Sequence, residues 1–407
     1  MKTKRYTLKR HYVFLVIFRF IFGPFFKLYY RFKAKKIKIK KQGPFLILAN
    51  HTAEFDIIFT DMMFDVPLYF VASEQLLNSG FGSWFLRYFF NPIPKSKSMT
   101  DLAVVKRMVS VRNEGGNIAI FPEGNATMHG EPVTIPKGIG RLIKFLKMPV
   151  IFLNIHGLYL SAPRWAYFRK FGRSTIVENR RLLPSEYASL SDKDVDQIVY
   201  DALSVSAYKA PFKIEFKGKN RAEGLHKLIF TCPSCNMVLS MISTKHALHC
   251  QSCHYHAFYG EDGLIHEKHN MYTLKTMDDA NKIRFIDYLR HHDEFSLKYA
   301  GMVSFWKAGE KRRSPMQQCT FKISRNEVTL SLKEKQLVYS IGSVLSAAIQ
   351  VRTKLIIYLE GDLTLLLQFP RQHSPYAALM YLQYLLHQGG KHDEIDSNEQ
   401  LATLLGL

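Results

Sequence analysis

The sequence predicts an α/β domain with a mixed sheet flanked by helices. A small cysteine-knuckle ribbon follows, and then a small β-rich domain with a C-terminal helix. Three observations carry that reading. Residues 45–49, 116–121 and 148–153 are short, nearly continuous apolar runs of the length expected for strands buried on both faces, and helix-like stretches separate them. Two C-x-x-C pairs, Cys232/Cys235 and Cys250/Cys253, hold four of the five cysteines. Between residues 321 and 369 the pattern changes to successive short strands divided by turn signals at 324–326, 341–343 and 360–362.

The chain of 407 residues is too long for one typical core, and 47% apolar residues provide enough to bury in several. The formal net charge of +22 implies attraction to polyanions: an anionic membrane, nucleic acid or an acidic carrier. Scarce cysteine in C-x-x-C pairs argues for a metal in a reducing compartment and against a disulfide framework. The expected organisation is a basic aromatic segment at 1–42, a catalytic-type α/β domain at 43–215, the ribbon at 225–270, the β-rich domain at 275–390 and a loose tail at 391–407.

In the lead-in, Lys2, Lys4, Arg5, Lys9 and Arg10 precede an apolar run at 12–26, and a second basic cluster occupies 33–41. Spanning a bilayer takes about twenty apolar residues. This run is shorter, carries Arg19 in its middle and is interrupted by Gly23-Pro24. No small-residue cleavage site follows, which argues against a secretory leader. The expectation is a helix or helix pair lying in a bilayer interface, with aromatics at the acyl boundary and Lys/Arg on anionic head groups. The other reading is an ordinary amphipathic helix covering the next domain.

The run at 45–49 delivers Asn50 and His51 to a strand's carboxyl end, where open α/β sheets place their chemistry. Asp56 follows five residues later. On one regular helix that spacing sets the two side chains about 140° apart. They meet only if His51 lies in the loop and Asp56 in the first turn of the next helix. There the carboxylate fixes the imidazole tautomer and leaves the other nitrogen as a general base. The second run, 116–121, ends in Pro122-Glu123-Gly124.

Together NHTAEFD and FPEG resemble the glycerolipid acyltransferase family that includes the lysophosphatidate acyltransferases, over roughly residues 10–215. The resemblance implies acyl transfer from acyl-CoA or acyl carrier protein to a lysophospholipid hydroxyl in phospholipid biosynthesis, with 1-acyl-glycerol-3-phosphate as the expected acceptor. It makes His51 and Asp56 catalytic and assigns Glu123, Gly124 and Asn125 to the acceptor site. It also assigns a basic residue near the acceptor head group, matched first by Lys95 and next by Lys97. The family pattern continues Glu-Gly-Thr-Arg-Ser, but here Ala126 stands where that arginine would be. Alanine cannot supply bidentate guanidinium–phosphate pairing, so another cation takes over or the acceptor is not a simple phosphate monoester. Lys137 and Arg141 are the nearest substitutes; both equally fit the exposed face of the helix that begins after Pro136. The run 148–153 resembles the family's fourth motif, on the acyl-binding side.

The two C-x-x-C pairs are separated by fourteen residues, and four thiolates close a tetrahedral structural zinc site with no position left for catalysis. His246, His249, His254 and His256 stand close by, and Cys319 alone reads as a buried apolar residue. The strands at 321–369 and the helix at 375–387 loosely resemble a pleckstrin-homology domain, an analogy of fold only. The expected partners are an anionic bilayer and the acyl donor, at the cytoplasmic face of the cell membrane, peripheral or monotopic. The alternative is an inactive basic zinc-ribbon protein that binds nucleic acid or anionic membrane. No recognition helix or base-stacking array stands out in its favour.

Overall fold

The computed structural model describes residues 5–40, 42–73, 81–95, 101–307, 310 and 313–390. Lys2, Lys4, Lys97 and the tail at 391–407 lie outside the described residues. The chain divides into two compact units, one of Met1–Pro163 with Lys170–Phe216, the other of Arg164–Arg169 with Lys217–Leu407.

The first unit opens with helix α1 (Lys9–Tyr29), which runs unbroken through Gly23-Pro24. That differs from the expected interruption. Proline removes one helical N–H bond, but the helix continues for five residues beyond it and rests on its neighbours there. A Cβ at Gly23 would meet Met62 at 3.6 Å, so the helix lies close against its neighbour there. Arg19 turns inward to pair with Asp61 at 3.5 Å. His11, Leu15 and Gly23 are buried along the same stripe, a spacing of four or eight that keeps one helix face on the protein.

The remaining elements are β1 (Leu46–Ala49), α2 (Asp56–Met62), β2 (Leu68–Ser73), α3 (Phe81–Phe89), β3 (Ile93–Lys95), α4 (Asp101–Asn113), β4 (Asn117–Ile120), α5 (Ile139–Leu146), β5 (Val150–His156), α6 (Leu158–Ser161), β6 (Thr175–Leu182), α7 (Pro184–Tyr187) and α8 (Asp192–Leu203). The sheet order is β3-β2-β4-β1-β5-β6. Every neighbouring pair is parallel except β5–β6. The sheet is mixed, and β1 is central and buried at all four positions. Alternation along β1 sends Ile47 and Ala49 to one face with Phe59 and Met63, and Leu46 and Leu48 to the other with Met108, Ile143 and Val199. Thus α2 covers one face and α4, α5 and α8 cover the other.

In the second unit, β7 (Met241–Thr244), β8 (Ala247–Cys250), β9 (His256–Tyr259), β10 (Ile265–Glu267) and β11 (Asn270–Tyr272) form an antiparallel sheet in consecutive order. Helix α9 (Leu274–His291) follows. A seven-stranded sheet comes next: β12 (Leu297–Lys307), β13 (Gln317–Ile323), β14 (Glu327–Ser331), β15 (Gln336–Ser340), β16 (Val344–Val351), β17 (Lys354–Leu359) and β18 (Leu363–Gln368), ordered β15-β14-β13-β12-β18-β17-β16. Strand β12 pairs β13 through residues 297–303 and β18 through 302–307, so it passes from one half of the sheet to the other. At Gly301 a Cβ would fall 2.4 Å from the Gln368 carbonyl oxygen, which is why that crossing takes glycine. Helix α10 (Pro375–Gln388) is buried from Pro375 to Leu386. Cys319 is buried on β13, and burial pushes its thiol up to about 11, the state of an inert core thiol.

Candidate active site and metal centre

The adjacency of β1 and β4 builds the first site. Leu48 lies in register with Ile120. His51 and Glu123 each follow three residues beyond that pair, so two residues 72 apart in sequence emerge side by side at the sheet's carboxyl edge. The His51 backbone N–H donates to Glu123 Oε1 at 3.1 Å, and Thr127 N–H donates to the His51 carbonyl at 3.0 Å. Asn50 anchors the loop from the other side, exchanging amide bonds of 3.2 and 2.7 Å with Ile155 on β5.

Asp56 opens α2 and is fully buried. Its Oδ2 accepts the Thr52 backbone N–H, the Ala53 N–H at 2.8 Å and His51 Nδ1–H at 2.9 Å, while Oδ1 accepts the Thr52 hydroxyl at 3.0 Å. An ionised carboxylate only accepts, so Nδ1 carries the proton and Nε2 keeps its lone pair. The His51 side chain is 18% exposed. Its ring stacks on Phe121 with centroids 4.5 Å apart and planes at 22°, and Phe121 in turn lies 6.0 Å from Phe70. The arrangement is a proton acceptor with fixed tautomer and orientation, whose Nε2 has no hydrogen-bond partner among the described residues.

Glu123 is buried, and its carboxyl is pushed well above the usual carboxylate range. Burial is the largest cause; the His51 N–H bond opposes it, and the Asp56 charge adds to it. Gly124 adopts φ +74° with nothing within 4 Å of a built Cβ, so the turn after Glu123 leaves open space. Asn125 is half-buried and Ala126 is buried.

The cations disperse. Lys95 ends β3 exposed, in register with Ser73 of β2. It shares the carboxyl edge with His51 but stands three strands away, about 14 Å at ordinary strand spacing. Lys137 and Arg141 are exposed at the start of α5, in the layer on the opposite sheet face from α2. That helix start is tied to α8: Asp196 accepts Gly138 N–H at 3.1 Å and Gly140 N–H at 2.6 Å.

Sequence reading did not single out Thr52, Phe121 or Thr127. For Thr52 a signal exists, a hydroxyl residue four before an aspartate at a helix start, where side chains satisfy free N–H groups. Phe121 carries none, because it looks like the last core residue of a strand.

The second site lies in the ribbon. The Sγ atoms of Cys232, Cys235, Cys250 and Cys253 all fall within 4.8 Å of one another. Cys232–Cys253 and Cys235–Cys250 are 3.6 and 3.7 Å apart. A tetrahedral ion with metal–sulfur bonds of about 2.3 Å needs sulfur–sulfur edges of about 3.8 Å, so the four thiols fit one. Backbone N–H groups of Ser234 and Ser252 donate to Cys232 and Cys250 Sγ, both at 3.3 Å, as knuckle turns require. Four sulfurs would fill all four positions of a tetrahedral ion, so the cluster suits a structural metal and leaves no position for catalysis.

Residues 31–155, from just after α1 into β5, match the family described as Acyltransferase. That span contains His51, Asp56 and Glu123. Among solved structures the chain is similar to the 1-acyl-sn-glycerophosphate (LPA) acyltransferase PlsC from Thermotoga maritima, at 17% identity and TM-score 0.37, over 48% of this chain and 90% of that one. It is also similar to the N-terminal PH domain of human ARAP2, at 14% identity and TM-score 0.19, over 22% of this chain and 81% of that one.

Proposed function

We propose that this protein transfers a fatty acyl group from a thioester, acyl-CoA or acyl carrier protein, to the hydroxyl of a lysophospholipid, most nearly 1-acyl-glycerol-3-phosphate. The observation that carries the proposal is the His51–Asp56 pair, locked through Nδ1 and open at Nε2. His51 Nε2 takes the proton from the acceptor hydroxyl as its oxygen bonds to the thioester carbonyl carbon. The tetrahedral intermediate then expels the thiolate, and His51 returns the proton to sulfur. The products are an ester and a free thiol, with no acyl-enzyme. Asp56 holds the ring and stabilises its cationic form, and the Phe121 face adds to that. Glu123 holds the His51 backbone and lies beside the acceptor.

We place the reaction at an anionic bilayer, on the cytoplasmic face of the cell membrane. Support comes from α1, which is long and apolar enough to cross a membrane, with 11% of its apolar window buried in protein. Phe20 and Leu28 are 82% and 83% exposed. One helix face rests on protein through Arg19 and Gly23, which favours a helix lying along the surface over one crossing it. Helix α3 extends the apolar face with exposed Trp84 and Tyr88, joined to α1 by the Phe14–Phe89 stack at 4.0 Å. Lys33, Lys35, Lys36, Lys38 and Lys40 point outward along the next segment while Phe32, Ile37 and Ile39 point in. The metal we assign to the four cysteines is zinc.

The test is thiol release from acyl-CoA and acyl carrier protein, with lysophosphatidate and non-phosphate lyso-lipids as acceptors, in wild type and His51→Ala. Release that needs both an acceptor and His51 is the expected result. Equal background in both proteins for every pair of substrates would overturn the proposal. The preferred acceptor also decides what Ala126 does.

A further inference from the structure

Three cations of the second unit gather around one aromatic ring without a carboxylate partner. Lys227 is 1% exposed. Its Nζ lies 4.2 Å from the centre of the Tyr167 ring and donates one hydrogen bond, to the Arg352 carbonyl at 3.1 Å. The Arg371 guanidinium lies 5.3 Å from the same ring centre. Arg352 Nη1 donates to the Tyr167 carbonyl at 3.4 Å. Among the described residues none of the three forms an ion pair. Two of the Lys227 ammonium hydrogens and all the Arg371 donors have no protein acceptor there.

We propose that Lys227, Arg352 and Arg371 form a binding site for a phosphate group beside Tyr167. The three come from separate parts of the chain: the 3-10 turn Leu225–Lys227, the β16–β17 turn and the loop before α10. Charges of one sign repel when brought together, and a buried ammonium without a counter-charge is costly. A compensating anion relieves both costs in a fold that assembles the three across 144 residues of sequence. The frame holds them in place. Tyr167 O–H donates to the Arg371 carbonyl, Ser374 O–H donates to the Lys227 carbonyl at 2.5 Å, and Phe369 N–H donates to the Thr353 carbonyl at 2.7 Å.

Exposure grades from Arg371 at the rim through half-buried Arg352 to Lys227 at the floor. That order suits an anion entering from solvent between two guanidinium forks toward a fixed point charge. A phosphate brings close to two negative charges and three acceptor oxygens, whereas a carboxylate brings one charge and two oxygens. Burial first, then the Arg352 and Arg371 charges, push the Lys227 ammonium down to about 7, a cost that a bound dianion removes. His226 beside it is pushed down to about 4, chiefly by burial, and adds no charge. Glu223 is the carboxylate whose charge reaches Tyr167. The site contains no residue of the first unit and stands apart from the acyl-transfer proposal.

Calorimetric titration of the full-length protein with inorganic phosphate, glycerol 3-phosphate and a short-chain phosphatidate, at constant ionic strength, tests it. Arg352→Gln/Arg371→Gln is expected to weaken inorganic phosphate binding by tenfold or more. Lys298→Gln/Lys322→Gln, an exposed cross-strand pair of the same unit, removes the same charge and is expected to change it less than twofold. Arg371→Gln alone, at an exposed position, is expected to weaken it severalfold and covers the case in which the double variant misfolds. If phosphatidate exceeds inorganic phosphate tenfold in the part lost on substitution, the ligand is a lipid head group; parity there identifies a free phosphate. Equal losses in both double variants, or no phosphate binding by wild type at millimolar concentration, would overturn the site.

Discussion

The His51 loop and the cysteine knuckles are both short polar segments at strand ends, and the protein finishes them in opposite ways. Around Asp56 four donors converge on one carboxylate, yet the imidazole they position keeps Nε2 open. Around the cysteines four sulfurs converge on one point, and the Ser234 and Ser252 amides of the two turns donate to sulfur. The first cluster spends its hydrogen bonds on orientation and leaves a reactive atom. The second spends its ligands on closure. Open and closed are therefore readable from which atom, if any, lacks a partner.

Breaking the closed cluster has the largest expected effect. Structural zinc binding in small domains is worth on the order of 10 kcal/mol. Stripping the metal with a chelator, or replacing Cys232 with Ser, is expected to abolish the unfolding transition of the ribbon. Metal content by emission spectroscopy together with a calorimetric scan checks it. An unchanged scan in a metal-free sample would show that the four thiols fold without an ion.

Next in size is the orienter of the open cluster. Asp56→Asn keeps the shape but replaces one acceptor oxygen with an N–H₂ donor, which faces donors already in place. The His51 tautomer is then free to invert. Thiol release is expected to fall about 10³-fold, equivalent to about 4 kcal/mol of barrier, with protein stability also reduced because donors lose their acceptor. A loss of less than tenfold would mean that Nδ1 needs no anionic partner.

Phe121→Leu sharpens the comparison further. It keeps an apolar residue at the sheet edge and removes the stacked face beneath His51. Thiol release is expected to fall about fivefold, consistent with about 1 kcal/mol for a ring stack or cation–π contact, while KM stays near wild type. A change confined to KM would assign Phe121 to substrate contact.

What sequence alone conveys follows the same division. Local order carries the His51 loop: an apolar run, then a histidine, then an aspartate at a helix start. Equal strand-to-motif distances after β1 and β4 even encode the offset of 72 that brings His51 to Glu123. The cysteine spacing likewise encodes its own geometry. Long-range packing hides the rest. Gly23-Pro24 reads as a break, but α1 continues through it, with Arg19 paired to Asp61 and Gly23 close against Met62. Lys137 and Arg141 read as neighbours of the motif that precedes them, but Asp196 fastens their helix start to α8. Residues 164–169 read as part of the first domain, yet Trp165 packs on Tyr259 of the ribbon at 5.4 Å. Nothing in the local sequence records any of these partners.

The last effect is on stability, and it concerns the carboxyl that links the two halves of the open cluster. Glu123 is raised above its usual range by burial, so the folded chain keeps a proton there that the unfolded chain releases near pH 4.3. Between those two values the folded state binds more protons, and stability falls as pH rises, by about 1.4 kcal/mol for each pH unit crossed. Glu123→Gln retains Oε1 as acceptor for the His51 N–H and removes the titrating group. The variant is expected to match wild type in melting temperature near pH 4 and to exceed it increasingly as pH rises from there, until the folded-state carboxyl itself ionises. Parallel melting curves across that range would mean that Glu123 is ionised in the folded protein with its charge satisfied. In that case the carboxylate would belong with Asp56 as a fully partnered anion, and the His51 loop would hold two negative charges in place of one.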